Sequence, residues 1–265
     1  MKKIGYEVAQ GVATVTLTDP PANTYSYARM RELDDVVLAA RMDAAVHVLV
    51  ITGAGEKFFC AGANIGMLKD ADPTFKYYFC LHANATLNRL EQTPKLVIAA
   101  LNGHTVGGGL EVAMAADIRI ARQGGGKIGV PEVALGVLPG TGGTQRLARL
   151  IGKAKAVELM ALGALFSFEE ARQLGLVNHV WGEPDLAGRT FPQAVAEYAR
   201  QFTPPHRASK AVGHIKRAVH SGLEMSFNEG LALERELQQR LFESDDAKEG
   251  IAANLEKRKP DFHGR

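Results

Sequence analysis

The alternation of apolar and polar residues near the start of the chain predicts a β-hairpin. Between residues 6 and 18, apolar side chains alternate with polar ones, as in Thr14, Val15 and Thr16. An alternation with a period of two is typical of a half-buried strand. The pattern is interrupted at Gln10-Gly11, where glycine favours a tight turn. We therefore predict two strands joined at this point, at an edge of a sheet.

After the hairpin the pattern switches repeatedly between helix and strand. Segments with apolar residues three or four positions apart are each followed by a short continuous apolar run, which is typical of a strand covered by helices on both faces. The predicted helices cover residues 30–42, 77–90 and 110–116. The predicted strands cover residues 46–52, 95–101 and 117–121. This alternation predicts an α/β fold with a mostly parallel core.

Beyond residue 151 the pattern is mainly helical. Ser167 and Glu170 are spaced as a capping box, and Gly175 is suited to end the helix that they begin. A short strand is predicted over 176–180. Further helices are predicted over 208–220, 227–242 and 245–257. Three short helices cannot bury their own apolar stripes, so we expect the last three to pack on the core or on another subunit.

The composition is that of an ordinary globular protein and excludes several classes. Apolar residues make up 46% and charged residues 23%, which excludes collagen-like, disordered and polytopic membrane proteins. The formal net charge of +2 is too small for a nucleic-acid-binding surface. The start lacks the apolar core of a signal peptide, and the longest apolar runs are far shorter than the ~20 residues of a membrane span. We predict a cytoplasmic protein with no nucleic-acid or membrane partner.

Several kinds of site are missing from the sequence. Cys60 and Cys80 lack metal or redox spacing, and we interpret both as reduced structural thiols. The eight histidines do not cluster with other ligands, so no metal site is predicted. No phosphate-binding GxxxxGK[ST] motif, no GxGxxG after a strand and no GxSxG elbow is present. These absences argue against nucleotide hydrolysis, dinucleotide binding and serine-hydrolase chemistry.

Glycine-rich segments follow two of the buried runs and mark candidate ligand sites. Gly107 to Gly109 lead into a predicted helix, and residues 58–65 place small side chains after the preceding strand. The first N–H groups of a helix have no partners within it, so such a helix start attracts an anion or a developing oxyanion. A tight turn with no ligand is the alternative interpretation of a glycine triplet.

Two isolated carboxylates are candidates for acid/base chemistry. Glu111 lies in the first turn of the predicted helix, among apolar neighbours, and Glu132 is the only charge in another apolar stretch. A carboxylate at a helix start can simply interact with the helix dipole. Burial among apolar residues weakens that interpretation, because an unpaired buried carboxylate is costly. Together the two glutamates suggest an acid/base pair.

Motifs spread over nearly the whole chain resemble one family. They occupy, in the family's order, residues 59–65, 102–111, 117–121, 131–132, 135–147, 170–177, 249–250 and 256–260. With these motifs the sequence resembles the crotonase (enoyl-CoA hydratase/isomerase) superfamily, and within it the enoyl-CoA hydratases. The resemblance implies a crotonase-type spiral of ββα units over residues 1–200. It also implies a C-terminal helical trimerisation region over 201–265 and a homotrimer or a homohexamer built as a dimer of trimers.

The resemblance further implies an activity and the residues that perform it. The reaction is the reversible addition of water across the 2,3 double bond of a 2-enoyl-CoA to give 3-hydroxyacyl-CoA, as in fatty-acid β-oxidation, with no cofactor and no metal. The N–H groups of Ala63 and Gly108 would hold the thioester oxygen. Glu111 would act as base and Glu132 as acid in hydration. The residues implied to line the bound coenzyme A, or to meet its phosphates, are Ala61, Ala63, Asn64, Ile65, Lys57, Lys69 and, across a subunit boundary, Lys257.

Some departures from the family pattern leave the substrate open. Asn64 stands where aspartate is common, Asn254 where an aromatic residue is common, and Tyr25 to Tyr27 are bulkier than usual. The segment 122–127 is one residue longer than is usual. A Δ3,Δ2-enoyl-CoA isomerase or another crotonase-type lyase is the first alternative, and a non-catalytic or RNA-binding homologue is a remote one. The presence of both glutamates favours the hydratase.

Overall fold

The computed structural model describes residues 4–265, which form two β-sheets surrounded by helices. The larger sheet contains β1 (Ile4–Ala9), β2 (Val12–Leu17), β3 (Val48–Gly53), β5 (Leu96–Leu101), β7 (Ile118–Arg122) and β10 (His179–Trp181), paired in that order. The smaller sheet contains β4 (Phe58–Cys60), β6 (His104–Val106), β8 (Lys127–Gly129) and β9 (Phe166–Ser167). All pairs in the larger sheet are parallel except β1 with β2.

Twelve α-helices are found within residues 4–265. They are α1 (Tyr27–Met42), α2 (Ile65–Lys69), α3 (Pro73–Glu91), α4 (Gly108–Met114), α5 (Gly143–Ile151), α6 (Lys153–Leu162), α7 (Phe168–Gln173), α8 (Glu183–Leu186), α9 (Phe191–Arg200), α10 (Ser209–Gly222), α11 (Phe227–Phe242) and α12 (Asp245–Leu255). A short 3₁₀ turn covers Glu132–Leu135.

The predicted hairpin and the ββα repetition are both present. Gln10 and Gly11 have φ values of 51° and 79°, the left-handed pair that a tight two-residue hairpin turn requires. Three times in succession a strand of the larger sheet is followed by a strand of the smaller one and then by helix: β3 with β4, β5 with β6, and β7 with β8. The chain therefore winds as a spiral of ββα units.

The larger sheet is covered on both faces, which explains its continuous apolar strands. In β3, Leu49 and Ile51 pack into the core with α1, α3 and α4. Val48 and Val50 point the other way, toward α9. Successive side chains of a strand face opposite sides of the sheet, so burial on both sides removes the polar alternation. The prediction of a buried parallel core is confirmed.

Several predicted boundaries are wrong by a few residues. The strand expected over 176–180 begins only at His179. The preceding Asn178 donates its N–H to the Arg119 carbonyl of β7 at 2.9 Å, but it accepts the Arg119 N–H on its side chain, at 2.8 Å. The side chain thus takes the place of a backbone strand hydrogen bond at this position. Helix α3 begins at Pro73, four residues before the predicted start, since Asp72 caps it by accepting the N–H of Phe75. The capping box of Ser167 and Glu170 is confirmed.

The last three helices lie where they were predicted; α10 is tied to the core, and α12 is tied to the C-terminal residues that follow it. Buried Lys216 of α10 pairs with Asp117 at 2.9 Å, beside the start of β7. In α12, buried Asp246 accepts the N–H groups of His263 and Gly264. Both cysteines are free thiols, as expected, and burial raises the pKa of Cys60 to about 12. Across residues 4–265, no helix combines the length and the apolarity needed to cross a membrane.

Candidate active site

Each glycine of the triplet that begins α4 has its own structural reason. Gly107 has a φ of 59°, a left-handed conformation that side chains disfavour. A Cβ on Gly108 would lie 1.9 Å from the hydroxyl oxygen of Tyr25, and a Cβ on Gly109 would lie 2.0 Å from the carbonyl oxygen of Cys60. A tight turn alone would require only the first of these glycines. The helix start is therefore built for close packing as well as for turning.

Two backbone N–H groups lie free at this junction. Tyr25 and Ala63 form a short parallel bridge, in which the N–H of Tyr25 donates to the Gly62 carbonyl and the N–H of Asn64 donates to the Tyr25 carbonyl, both at 2.9 Å. None of the hydrogen bonds found over residues 4–265 uses the N–H of Ala63 or of Gly108. The two segments touch, because a Cβ on Gly62 would lie 2.8 Å from the Gly108 nitrogen. Both predicted oxyanion donors are thus unpaired and next to each other.

Glu111 is held from several directions, one turn into α4. It is only 2% exposed, and its Oε1 accepts the N–H of Thr141 at 2.8 Å and the N–H of Gly143 at 2.7 Å. The hydroxyl of Thr141 donates to Oε2. Gly143 is the first residue of α5, so this hydrogen bond places the carboxylate at a helix start, where the helix dipole favours negative charge. Three donors fix the orientation of this carboxylate.

Glu132 has a different environment, at the start of the 3₁₀ turn. Its Oε1 lies against Gly107, where a Cβ would be 2.9 Å away. Its Oε2 is buried and has no hydrogen-bond partner among residues 4–265. Burial raises the pKa of Glu132 to about 7, with a further upward contribution from the charge of Glu111 and a downward one from Lys76. A half-buried carboxyl that titrates near neutrality and keeps one oxygen without a partner among residues 4–265 is suited to proton transfer.

The two glutamates line one cavity of about 290 Å³, which is otherwise mainly apolar. The structure brings six predicted site residues to its wall: Ala61, Ala63, Ile65, Gly108, Glu111 and Glu132. Other wall residues include Tyr25, Lys76, Phe79 and Thr141. A concave apolar site with a few convergent polar groups is the usual form of a small-molecule site.

The remaining predicted residues do not line this cavity. Asn64 uses its side chain to cap α2, accepting the N–H of Met67 at 2.9 Å. Lys57, Lys69 and Lys257 are exposed on the surface. Their predicted contacts with coenzyme A stay predictions. The extra residue in segment 122–127 falls in the turn between β7 and β8, where Gly124 faces open space.

Sequence reasoning missed three wall residues that contact or influence the glutamates. Thr141 lies 30 positions from Glu111, and the hydroxyl of Tyr25 lies against Gly108. Lys76 is an ordinary lysine in the first turn of α3 by its sequence context. The available signal was the glycine-rich segment 140–143 around Thr141, since such clusters mark loops, and binding and catalytic residues are often found on loops.

Comparison with known proteins agrees with this geometry. Residues 7–265 match the enoyl-CoA hydratase/isomerase family. The chain belongs to this family. A probable enoyl-CoA hydratase of Bacillus subtilis is 39% identical over 268 residues, with 100% of both chains covered. A short-chain-enoyl-CoA hydratase of Clostridium acetobutylicum is 38% identical, with 94% of this chain and 92% of that one covered.

A solved structure of this enoyl-CoA hydratase/isomerase family confirms the fold class. The crystal structure of an enoyl-CoA hydratase from Geobacillus kaustophilus matches with a TM-score of 0.95 and 42% identity, covering 100% of this chain and 98% of that one. The predicted crotonase-type spiral is therefore correct. Among residues 4–265, no group of three or more histidine, cysteine, aspartate or glutamate side chains is placed to hold a metal ion.

Proposed function

We propose that this member of the enoyl-CoA hydratase/isomerase family adds water reversibly to the 2,3 double bond of a 2-enoyl-CoA. The observation that carries the proposal is the pair Glu111 and Glu132 on one cavity wall, beside two unpaired N–H groups. Hydration needs one group to take a proton from water and another to deliver a proton to carbon. The names of the relatives from Bacillus subtilis and Clostridium acetobutylicum support the same reaction.

The N–H groups of Ala63 and Gly108 are proposed to receive the thioester oxygen. When water adds at C3, negative charge moves through C2 to this oxygen, giving an enolate-like transition state. Donors that are already oriented stabilise such charge more than they stabilise the neutral ester, so they lower the barrier. The position of Gly108 at the start of α4 adds the positive end of the helix dipole.

The different environments of the two glutamates suggest their roles. Glu111, held by three donors, accepts a proton from water while the oxygen bonds to C3. Glu132, whose pKa is near 7, supplies a proton to C2. At the end of hydration the proton has moved from Glu132 to Glu111, so the pair holds one proton throughout. Exchange with solvent restores the starting arrangement.

A spectroscopic assay with a panel of thioesters tests the proposal. Incubation with 2-butenoyl-CoA is expected to bleach the absorbance of the conjugated thioester as 3-hydroxybutanoyl-CoA forms. Longer, branched and dicarboxylic 2-enoyl-CoA esters then map the acyl preference. Conversion of a 3-enoyl-CoA, with no bleaching of any 2-enoyl-CoA, would show that the protein is an isomerase instead.

The raised pKa of Glu132 predicts a pH dependence. Hydration requires Glu132 to be protonated, so kcat/KM is expected to fall as the pH rises through about 7. The overall reaction takes up no net proton, so its equilibrium constant does not depend on pH. This constant equals the ratio of kcat/KM for hydration to kcat/KM for dehydration. The value of kcat/KM for dehydration must therefore decline in the same way. Because Lys76 lowers the pKa of Glu132, Lys76→Met is expected to move this decline to higher pH. Initial rates measured on both sides of neutrality test both statements.

A matched control separates the local charge effect from a general one. Lys155→Met removes a lysine from the surface of α6 and is expected to leave the pH profile unchanged. A profile that stays flat across neutrality in the wild-type protein would rule out Glu132 as the proton donor to C2.

The proposed assembly is a homotrimer or a homohexamer, and the location proposed from the sequence is cytoplasmic. The C-terminal helices expose large apolar side chains on the single chain, including Leu223, Phe227 and Leu255, each more than three-quarters exposed. Exposed apolar groups concentrated in one region commonly mark an interface. Lys257, just beyond α12, is then proposed to reach the coenzyme A phosphates of a neighbouring subunit.

Shortening the chain before Asp245 is expected to disturb the oligomer and to raise KM for the CoA ester. The deletion removes α12 and Lys257 together. Phe227→Glu is therefore tested beside it, since this change keeps Lys257 and alters only the exposed apolar side chain of Phe227. Met42→Glu, at an equally exposed position on α1, is the control. Light scattering reports assembly and steady-state kinetics report KM. A fully active monomer of the intact chain would contradict the proposal.

A further inference from the structure

The hydroxyl of Tyr25 is a polar group in the cavity wall, and the proposed reaction gives it no role. The side chain is 7% exposed and lines the cavity together with Gly108, Glu111 and Thr141. Its backbone is held by the bridge to Ala63 described above. The residue is therefore anchored next to one proposed oxyanion donor.

The ring of Tyr25 is held from two sides. Its hydroxyl occupies the volume in which a side chain at position 108 would begin, because a Cβ there would lie 1.9 Å from the hydroxyl oxygen and 2.7 Å from Cζ. Phe79 packs beside it, with ring centroids 6.1 Å apart. A tyrosine fixed in this way has little rotational freedom. Its hydroxyl is directed at one place in the cavity.

At that place the hydroxyl of Tyr25 meets the hydroxyl of Thr141, at 3.3 Å. Thr141 in turn donates to Glu111. A threonine hydroxyl has one proton, so a Thr141 that donates to the carboxylate must accept from Tyr25. Burial, followed by the charge of Glu111, raises the pKa of Tyr25 well above its ordinary value, so the phenol keeps the proton that it donates. The result is a directed chain of two hydrogen bonds ending on the carboxylate.

We propose that Tyr25 is a positioning residue for Glu111, acting through Thr141. By holding the Thr141 hydroxyl with its proton toward Oε2, Tyr25 keeps the carboxylate oriented for the proton that water releases. Linked hydrogen bonds polarise one another, so the first bond strengthens the second. This inference rests on the proposed function, in which Glu111 is the base.

A double-mutant cycle tests the chain of contacts. Tyr25→Phe removes only the hydroxyl and is expected to lower kcat by about 3- to 10-fold, the effect of one neutral hydrogen bond, with KM for 2-butenoyl-CoA changed less than ~2-fold. Thr141→Val removes both links and should lower kcat further. In the Thr141→Val background, Tyr25→Phe should have no additional effect, because its partner is gone. Thr141→Ser keeps the hydroxyl and should restore the sensitivity to Tyr25→Phe.

Tyr27→Phe is the matched control. It removes the same group two positions away, on a partly exposed ring outside the cavity wall, and should leave kcat and KM unchanged. An unchanged kcat in Tyr25→Phe would overturn the proposal. So would an effect confined to KM, or a loss of equal size with and without the Thr141 hydroxyl.

The proposed function and this inference fail in different ways. If the wild-type protein hydrates none of the thioesters, the proposed hydratase function is wrong. If it is active and kcat is insensitive to Tyr25→Phe, only the inference fails. The same cycle measured on the free energy of unfolding in urea reports the Tyr25–Thr141 contact without activity, and additive effects there would mean that the contact does not exist.

Discussion

Replacing Glu111 by glutamine is expected to lower kcat for hydration by at least ~10²-fold, the usual scale of a general acid or base, while 2-butenoyl-CoA still binds. The amide has nearly the same shape as the carboxylate, and its oxygen can still accept the N–H groups of Thr141 and Gly143. The Thr141 hydroxyl can turn and accept from the amide nitrogen. The variant should therefore fold while lacking a group that takes a proton from water.

Glu132→Gln is expected to cause a loss of the same order, for a different reason. The amide has nearly the same shape as the carboxyl that it replaces, but it cannot deliver a proton to C2. Steady-state kinetics and direct binding of the ester separate kcat from affinity. Glu158→Gln, on the surface of α6, controls for the substitution itself. Turnover at the wild-type rate in either active-site variant would remove that glutamate from the mechanism.

Deleting the N–H of Gly108 is the second change with a large expected effect. Loss of one oxyanion donor typically lowers kcat by about 10²–10³-fold. Proline at the first position of a helix is tolerated, so Gly108→Pro removes the N–H without breaking α4. Its Cβ would nevertheless meet Tyr25, as the Cβ of any other residue would.

The comparison is therefore made with Gly108→Ala, and both changes are introduced in the Tyr25→Ala background, which removes the ring. Both variants then carry the same new Cβ, and only proline lacks the N–H. We expect kcat of the proline variant to lie at least ~10²-fold below that of the alanine variant. Equal values of kcat in the two variants would mean that the thioester oxygen is held elsewhere.

Much of the fold could be predicted because its strands are buried on both faces. The apolar runs 46–52 and 95–101 became β3 and β5 with small changes of boundary, since burial on both faces leaves a continuous apolar signal. The smaller sheet could not be predicted in this way. Its strands have only two or three residues, too few to show a period, and they pair only because the larger sheet places their ends side by side.

The candidate site shows the same division. Glu111 and Glu132 could be singled out because a charge in an apolar stretch is costly and needs a reason. That the pKa of Glu132 is raised could not be read from the chain, because it depends chiefly on how far the fold buries that carboxyl. Likewise, only the fold brings Thr141 and Gly143 to Glu111 and leaves Oε2 of Glu132 without a hydrogen-bond partner among residues 4–265.

By itself, the sequence determined the order of helices and strands, the capping residues, the glycine-rich helix start and the two carboxylates, because all of these depend on local patterns. Only the tertiary structure decided that the N–H groups of Ala63 and Gly108 lie free beside each other and that Tyr25 meets Thr141. Tyr25 and Thr141 are 116 positions apart in the sequence. Such contacts arise from the way in which the ββα units stack, and no local pattern of side chains records that packing.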